Sequence, residues 1–291
     1  MEPQRSLTVL LSPKLSTPIR DSATFVGLTF AMSWLLWVAA AAILNWDLSS
    51  TSGWVVFSGA LYLVGVFAPA IVGLALTAQS GGAPAVMSLV RRILQWSVGG
   101  RWYLLAVGYF AAVKAGVAIV YRIIIGDWPA FSQIPWFVML IAIPFSTPVQ
   151  AGEEIGWRGY LLPRLSARIG LPAASLIVGI IWGCWHLPFF LVAGTDKSSQ
   201  SFPAYVLGAT ALSVAMAWLY WRTRGSLLLT MIMHAAVNNT NLVPVAASTA
   251  ASPFVLHASL VTWLTVALLW LGAAVFLVAM RVQGSTLSPE P

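Results

Sequence analysis

Charge is what this chain has least of: only 8% of its residues are Asp, Glu, Lys or Arg, against 59% hydrophobic residues and a mean hydropathy of +0.86. Such a composition excludes a water-soluble domain of ordinary make-up and describes an integral membrane protein. Cysteine is almost absent too. The single Cys184 rules out an intramolecular disulfide and a cysteine-rich zinc site, and it leaves the redox compartment undetermined. Also missing are the zincin signature His-Glu-x-x-His, the alternating pattern of a membrane barrel, any internal repeat and any soluble domain. A net charge of +7 would suggest nucleic acid in a soluble protein. Here the bases fall in short loops between apolar runs, where they set membrane orientation, and no nucleic-acid partner is expected.

What is present in abundance is apolar sequence of membrane-crossing length. Eight stretches stand out, near 23–44, 54–77, 102–125, 136–160, 171–191, 205–221, 227–243 and 259–280, each close to the roughly 20 residues that cross about 30 Å of hydrocarbon. Each must satisfy its own backbone hydrogen bonds in lipid, so the predicted fold class is all-α, a polytopic membrane protein with about eight transmembrane helices. The stretch 23–44 is too long for a cleavable signal segment and reads as an uncleaved first helix. One transmembrane domain, 23–280, is expected between Ser-, Thr- and Pro-rich tails, 1–22 and 281–291, that read as disordered.

The loops supply an orientation. With the N-terminus inside, the inner segments carry Arg5, Lys14, Arg20, Arg91, Arg92, Arg101, Arg158, Arg164, Arg168, Arg222, Arg224 and Arg281, which is 12 of the 15 bases. Lys197 is the clear outer base, and Lys114 and Arg122 fall within the third span. Both termini are therefore expected in the cytoplasm, with the chain in a prokaryotic cell membrane. Val86–Trp96 reads as an amphipathic interfacial helix on the inner side, and Gly179 with Gly183 as a small-residue pair that lets the fifth span approach a neighbour closely.

Against this apolar background, Glu153 and Glu154 sit side by side, with Arg158 four residues on. A carboxylate at bilayer depth is costly unless paired or hydrated, so a tandem pair marks a functional site. Helical geometry puts Glu154 and Arg158 on one face and turns Glu153 about 100° away, so the first acid is paired and the second is left to take a proton from water. Read structurally, the same residues are a helix-capping or interfacial cluster. His186 follows Trp182 by one turn and precedes Pro188, and His234 shares a helical face with Asn238. Each alone also reads as a packed, hydrogen-bonded residue of a helix bundle. Together they contain a base, proton donors and an oxyanion-stabilising donor, the equipment for amide hydrolysis. Lys114, in mid-span, needs a carboxylate, carbonyls or water, and one member of the Glu pair is a candidate partner.

Glu-Glu-x-x-x-Arg at 153–158, an aromatic-x-x-x-His at 182–186 and His-x-x-x-Asn at 234–238, in this order, resemble the CPBP family of intramembrane peptidases, which includes the type II CAAX prenyl endopeptidases. The motifs lie in a core of about 135–241. The resemblance implies an eight-helix fold around a cytosol-facing cavity and cleavage of a peptide bond in a membrane-associated protein or lipidated peptide. It implies Glu153 as the base activating water, Glu154 paired with Arg158, His186 polarising water or substrate, and His234 with Asn238 holding the oxyanion. One departure is visible, since the second motif usually begins with Phe and this chain has Trp182, a larger ring expected to narrow the cavity. No cofactor is expected. Two His and a Glu also make a catalytic zinc set, and that mechanism stands as the alternative. A non-catalytic scaffold or immunity protein of the same family, and a proton-coupled transporter, are the rival readings. Oligomeric state is not legible from the sequence.

Overall fold

Backbone polar groups have no partners in lipid other than one another, and this chain satisfies them with helix throughout; no strand occurs among the described residues. The computed structural model describes residues 18–45, 52–192, 195, 197–244 and 252–285. The expected disordered tails fall mostly outside those residues, although helix already begins at Pro18 and runs on to Ser285. In chain order the α-helices are α1 (Pro18–Asn45), α2 (Ser52–Arg91), α3 (Gly100–Ile125), α4 (Trp136–Ser146), α5 (Ala151–Glu154), α6 (Leu162–Trp185), α7 (Pro188–Leu191), α8 (Phe202–Arg222), α9 (Leu227–Asn239) and α10 (Leu260–Ser285). A 3-10 turn, Thr147–Gln150, joins α4 to α5, and a π-helical segment, Ile155–Leu161, joins α5 to α6.

Six helical runs are long and apolar enough to cross a membrane: Arg20–Leu44, Gly53–Leu94, Gly100–Ile125, Trp136–Leu191, Phe202–Arg222 and Leu260–Arg281. The expected count of eight is not reached on this measure, for two physical reasons. The fourth and fifth expected spans belong to one apolar run of 56 residues, Trp136–Leu191. That run changes direction inside α6 at Gly170, whose φ of 77° and ψ of 158° are rarely open to a residue with a Cβ. The seventh, Leu227–Asn239, has only 13 residues, roughly 20 Å of helix against about 30 Å of hydrocarbon. Gly82 makes a similar break in α2, after which Ala83–Arg91 forms the separate short helix expected near Val86–Trp96.

Side-chain hydrogen bonds to backbone fix how the long helices pair. α1 and α2 are antiparallel, with Ser33 Oγ donating to Gly65 O at 2.8 Å, Trp37 Nε1 to Tyr62 O at 3.1 Å and Ser58 Oγ to Ala40 O at 3.0 Å. α6 and α8 are antiparallel as well, tied by Ser213 Oγ to Ser175 O at 2.9 Å. α10 runs beside α8, where Trp218 stacks on Phe276 at 4.7 Å, and beside α3. These pairings gather most of the arginines at one end of the bundle, Arg122 at the far end of α3 and the buried Arg158 excepted. There Arg92 Nη1 donates to Tyr220 Oη at 2.6 Å, Gln95 Nε2 to Thr223 O at 2.9 Å, and the Arg222 guanidinium lies 5.5 Å from the Trp102 ring. At the opposite end the loops close on one another, with Phe202 N donating to Pro253 O at 2.8 Å and Ser201 Oγ to Val255 O at 2.7 Å.

The expected close approach at Gly179 and Gly183 is present, and it is with α8. A Cβ on Gly179 would stand 2.6 Å from Thr210 Cα, whereas one on Gly183 would stand 3.1 Å from Val206 Cα. Gly179→Ala is therefore expected to lower the thermal midpoint of the detergent-solubilised protein more than Gly183→Ala does, by an overpacking cost of about 1–3 kcal/mol. Equal midpoints for the two variants would contradict this packing.

Candidate active site

The acid pair is held where the chain changes helical pitch three times within fifteen residues. The 3-10 turn Thr147–Gln150 tightens the backbone, α5 carries Glu153 and Glu154, and the π segment then widens it around Arg158. π turns commonly mark functional sites. The segment lies hard against α2, where Gly156 permits contact: a Cβ there would stand 2.5 Å from Pro69 O, a backbone atom that cannot give way. This packing buries Glu153, Glu154, Trp157, Arg158 and Tyr160 together.

The two carboxylates have different partners, as the helical spacing predicts. Glu154 Oε1 accepts from Arg158 Nη1 at 2.8 Å, and both side chains are wholly buried. The same oxygen lies 2.9 Å from His234 Nδ1. Since a carboxylate only accepts, Nδ1 is the donating nitrogen and Nε2 is left facing Glu153, at 4.0 Å from its Oε1. Glu153 Oε2 in turn accepts from Trp182 Nε1 at 2.7 Å. Trp182 also stands edge-on to His234, with ring centroids 5.1 Å apart, and lies 4.7 Å from the Arg158 guanidinium carbon. The ring expected to narrow the cavity therefore does more than fill space. Its indole N–H supplies a hydrogen bond that a phenylalanine cannot make.

His186 joins the site through the same tryptophan. Its Nδ1 donates to Trp182 O at 2.9 Å, because a carbonyl can only accept, and this leaves Nε2 as the unprotonated nitrogen of the neutral ring. The ring packs against Trp185 at 4.9 Å and Tyr205 at 5.3 Å, and α1 fixes the helix end beneath it through Trp34 Nε1 donating to Trp185 O at 2.9 Å. Asn238 sits one turn beyond His234, and its Nδ2 makes a long 3.4 Å bond to Gln150 Oε1. Sequence reasoning missed Gln150. The available signal was its position one turn before Glu154, the same spacing that picked out Arg158.

A cavity of about 460 Å³ separates these residues into two sets. Glu153, Trp182, His186, His234 and Asn238 line it, while Glu154 and Arg158 do not. Lys114 also lines the cavity, but it pairs with neither acid. Its Nζ donates to Val243 O at 3.1 Å and Thr265 Oγ1 at 3.4 Å, so the expected link to the Glu pair is replaced by neutral acceptors. From Glu153 and His234 the cavity runs to Lys197, Gln200 and Ala258, in the loops at the end of the bundle opposite the arginines. Among the described residues, no group of three or more His, Cys, Asp and Glu side chains is arranged to hold a metal ion.

A buried pair costs most when half of it is removed. Arg158→Met is expected to destabilise the fold by about 3–5 kcal/mol, because Glu154 is left as a buried charge, whereas Glu154→Gln with Arg158→Met is expected to recover most of that loss. Thermal midpoints of the two single variants and the double variant, measured in one detergent, check this. Additive losses would show that the two side chains act independently.

The comparisons with known proteins point to the same segment. Residues 131–240 match the family model described as Type II CAAX prenyl endopeptidase Rce1-like, a stretch that contains all three motifs. The chain is also 24% identical over 233 residues to CAAX prenyl protease 2 of Methanococcus maripaludis, a match covering 72% of this chain and 80% of that protein. The apolar helices and this similarity together describe an integral membrane protein. The resemblance first carried by Glu153, Glu154, Arg158, His186, His234 and Asn238 is thus met again in both comparisons: residues 131–240 are similar to the type II CAAX prenyl endopeptidases, and most of the chain is similar to a CAAX prenyl protease.

Proposed function

We propose that this protein is an intramembrane endopeptidase that hydrolyses a peptide bond of a membrane-associated protein or lipidated peptide, with Glu153 activating the attacking water. The observation that carries the reading is the division of labour between the carboxylates: Glu154 is consumed by Arg158 and His234, while Glu153 faces the cavity. Glu153 takes a proton from water, and the oxygen attacks the scissile carbonyl carbon. Asn238 Nδ2 holds the developing oxyanion, exchanging its long bond to Gln150 for a shorter one, and His234 joins it only when Nε2 carries a hydrogen in addition to the one that Nδ1 gives Glu154. His186 accepts a hydrogen bond from water through its unprotonated Nε2, and Glu153 returns its proton to the leaving amine as the C–N bond breaks. The relative's name points to a prenylated Cys-a-a-X end as one substrate of this class.

Glu153→Gln keeps an acceptor for the Trp182 N–H and removes only the base. It is expected to lower the rate by roughly 10²–10⁴-fold with an unchanged thermal midpoint. Cleavage of a membrane peptide by this variant at the wild-type rate defeats the proposal and favours the non-catalytic scaffold. Trp182→Phe keeps the ring and removes one charge-assisted hydrogen bond, for an expected loss of about tenfold in kcat. Exhaustive chelation is expected to leave activity intact. Abolished activity that zinc restores establishes the metal mechanism instead.

A further inference from the structure

An ammonium in the middle of a membrane helix is costly, and Lys114, buried halfway along α3, is surrounded by neutral acceptors. Its Nζ donates to Val243 O at 3.1 Å and Thr265 Oγ1 at 3.4 Å, and lies 5.5 Å from the centre of the Phe110 ring one turn earlier. Thr265 is set up to accept, because its own hydroxyl hydrogen goes to Val261 O at 2.7 Å. Among the described residues no carboxylate forms an ion pair with Lys114; the two buried acids are engaged by Trp182, Arg158 and His234. Two neutral acceptors do not call for a charge, since an uncharged donor would serve both without the cost of burying a cation. An ammonium also has three N–H groups, one more than these acceptors use. Lys114, Phe110 and Thr265 all line the cavity that Glu153, His234 and Asn238 line, and α3 packs directly on α9, which carries His234 and Asn238.

We infer that the Lys114 ammonium receives a carboxylate of the peptide that occupies the cavity, which makes it a specificity-determining residue of this site rather than a strut between α3 and α10. A carboxylate supplies the missing counter-charge and takes the third N–H without displacing Val243 O or Thr265 Oγ1. Val266 and Leu269 complete an apolar wall around it, where a charge-assisted bond is stronger than on an exposed surface. The terminal carboxylate of the peptide and an Asp or Glu side chain near the scissile bond share this chemistry. The inference rests on the protease reading above for what happens to the occupant, and deepens it by naming a group that the substrate carries.

Three prenylated peptides test this on the detergent-solubilised full chain: one ending in Cys-Val-Val-Gln as the free acid, the same peptide as its C-terminal amide, and a Cys-Val-Val-Glu amide. With the wild type, at least one carboxylate form is expected to exceed the neutral Gln amide about tenfold in kcat/KM, through KM rather than kcat. A preference for the free acid assigns the terminal carboxylate, and a preference for the Glu amide assigns the side chain. In Lys114→Met the preference is expected to vanish, the ratio falling to about one. Lys114→Gln, which still donates to neutral acceptors, is expected to lose it as well, whereas a purely structural role leaves the ratio untouched in both variants. Each ratio is taken within one preparation, so a smaller folded fraction cancels. Equal kcat/KM for all three peptides in the wild type overturns the inference, as does a preference that persists in either variant. If no peptide is cleaved, fluorescent forms give the same comparison as ratios of Kd. A carboxylate preference in binding that Lys114→Met abolishes then retains the inference and removes the protease reading, and failure to bind any of the three overturns the inference.

Discussion

A single carboxylate oxygen, Glu154 Oε1, holds this site together. It accepts from Arg158 on its own helical run and contacts His234 on α9, so one buried atom sets the rotamer of a guanidinium and the orientation of an imidazole. Burying such a pair adds little net stability once desolvation is counted, and its value lies in specifying one arrangement. The arrangement specified is one in which the neighbouring Glu153 has no cation of its own within hydrogen-bonding distance and points into the cavity. Chemistry is left to the acid that the ion pair does not use.

Tryptophan then links the layers. Trp182 touches Glu153 through its N–H, His234 through its edge and Arg158 through its face, and its carbonyl receives His186. Four of the polar residues singled out by spacing thus meet on one residue. A phenylalanine in its place would keep the shape and lose the polar connection to the base.

The separation of Glu153 from Glu154 was legible because it needs only the 100° turn per residue of a helix, and the pairing with Arg158 because four residues return to the same face. The helical fold was legible from hydropathy. The span count was not, because length and apolarity do not reveal that Gly170 bends one 56-residue run, or that thirteen residues suffice for α9 inside a protein interior. Trp182, one turn before His186, links that histidine to Glu153. The partnership of Gln150 with Asn238 and the course of the cavity depend on which helices pair, and no local pattern encodes that.

The π segment Ile155–Leu161 carries one more consequence. Its wider coil accommodates an additional residue relative to an ordinary helix spanning the same rise, so the phase of every side chain after Leu161 is offset from that of the acid pair. A helical wheel drawn straight through positions 151–170 would assign the later residues to the wrong sector. Homologues are therefore best aligned in two independent registers, hinged at this coil, when their lipid-facing and pore-facing positions are compared.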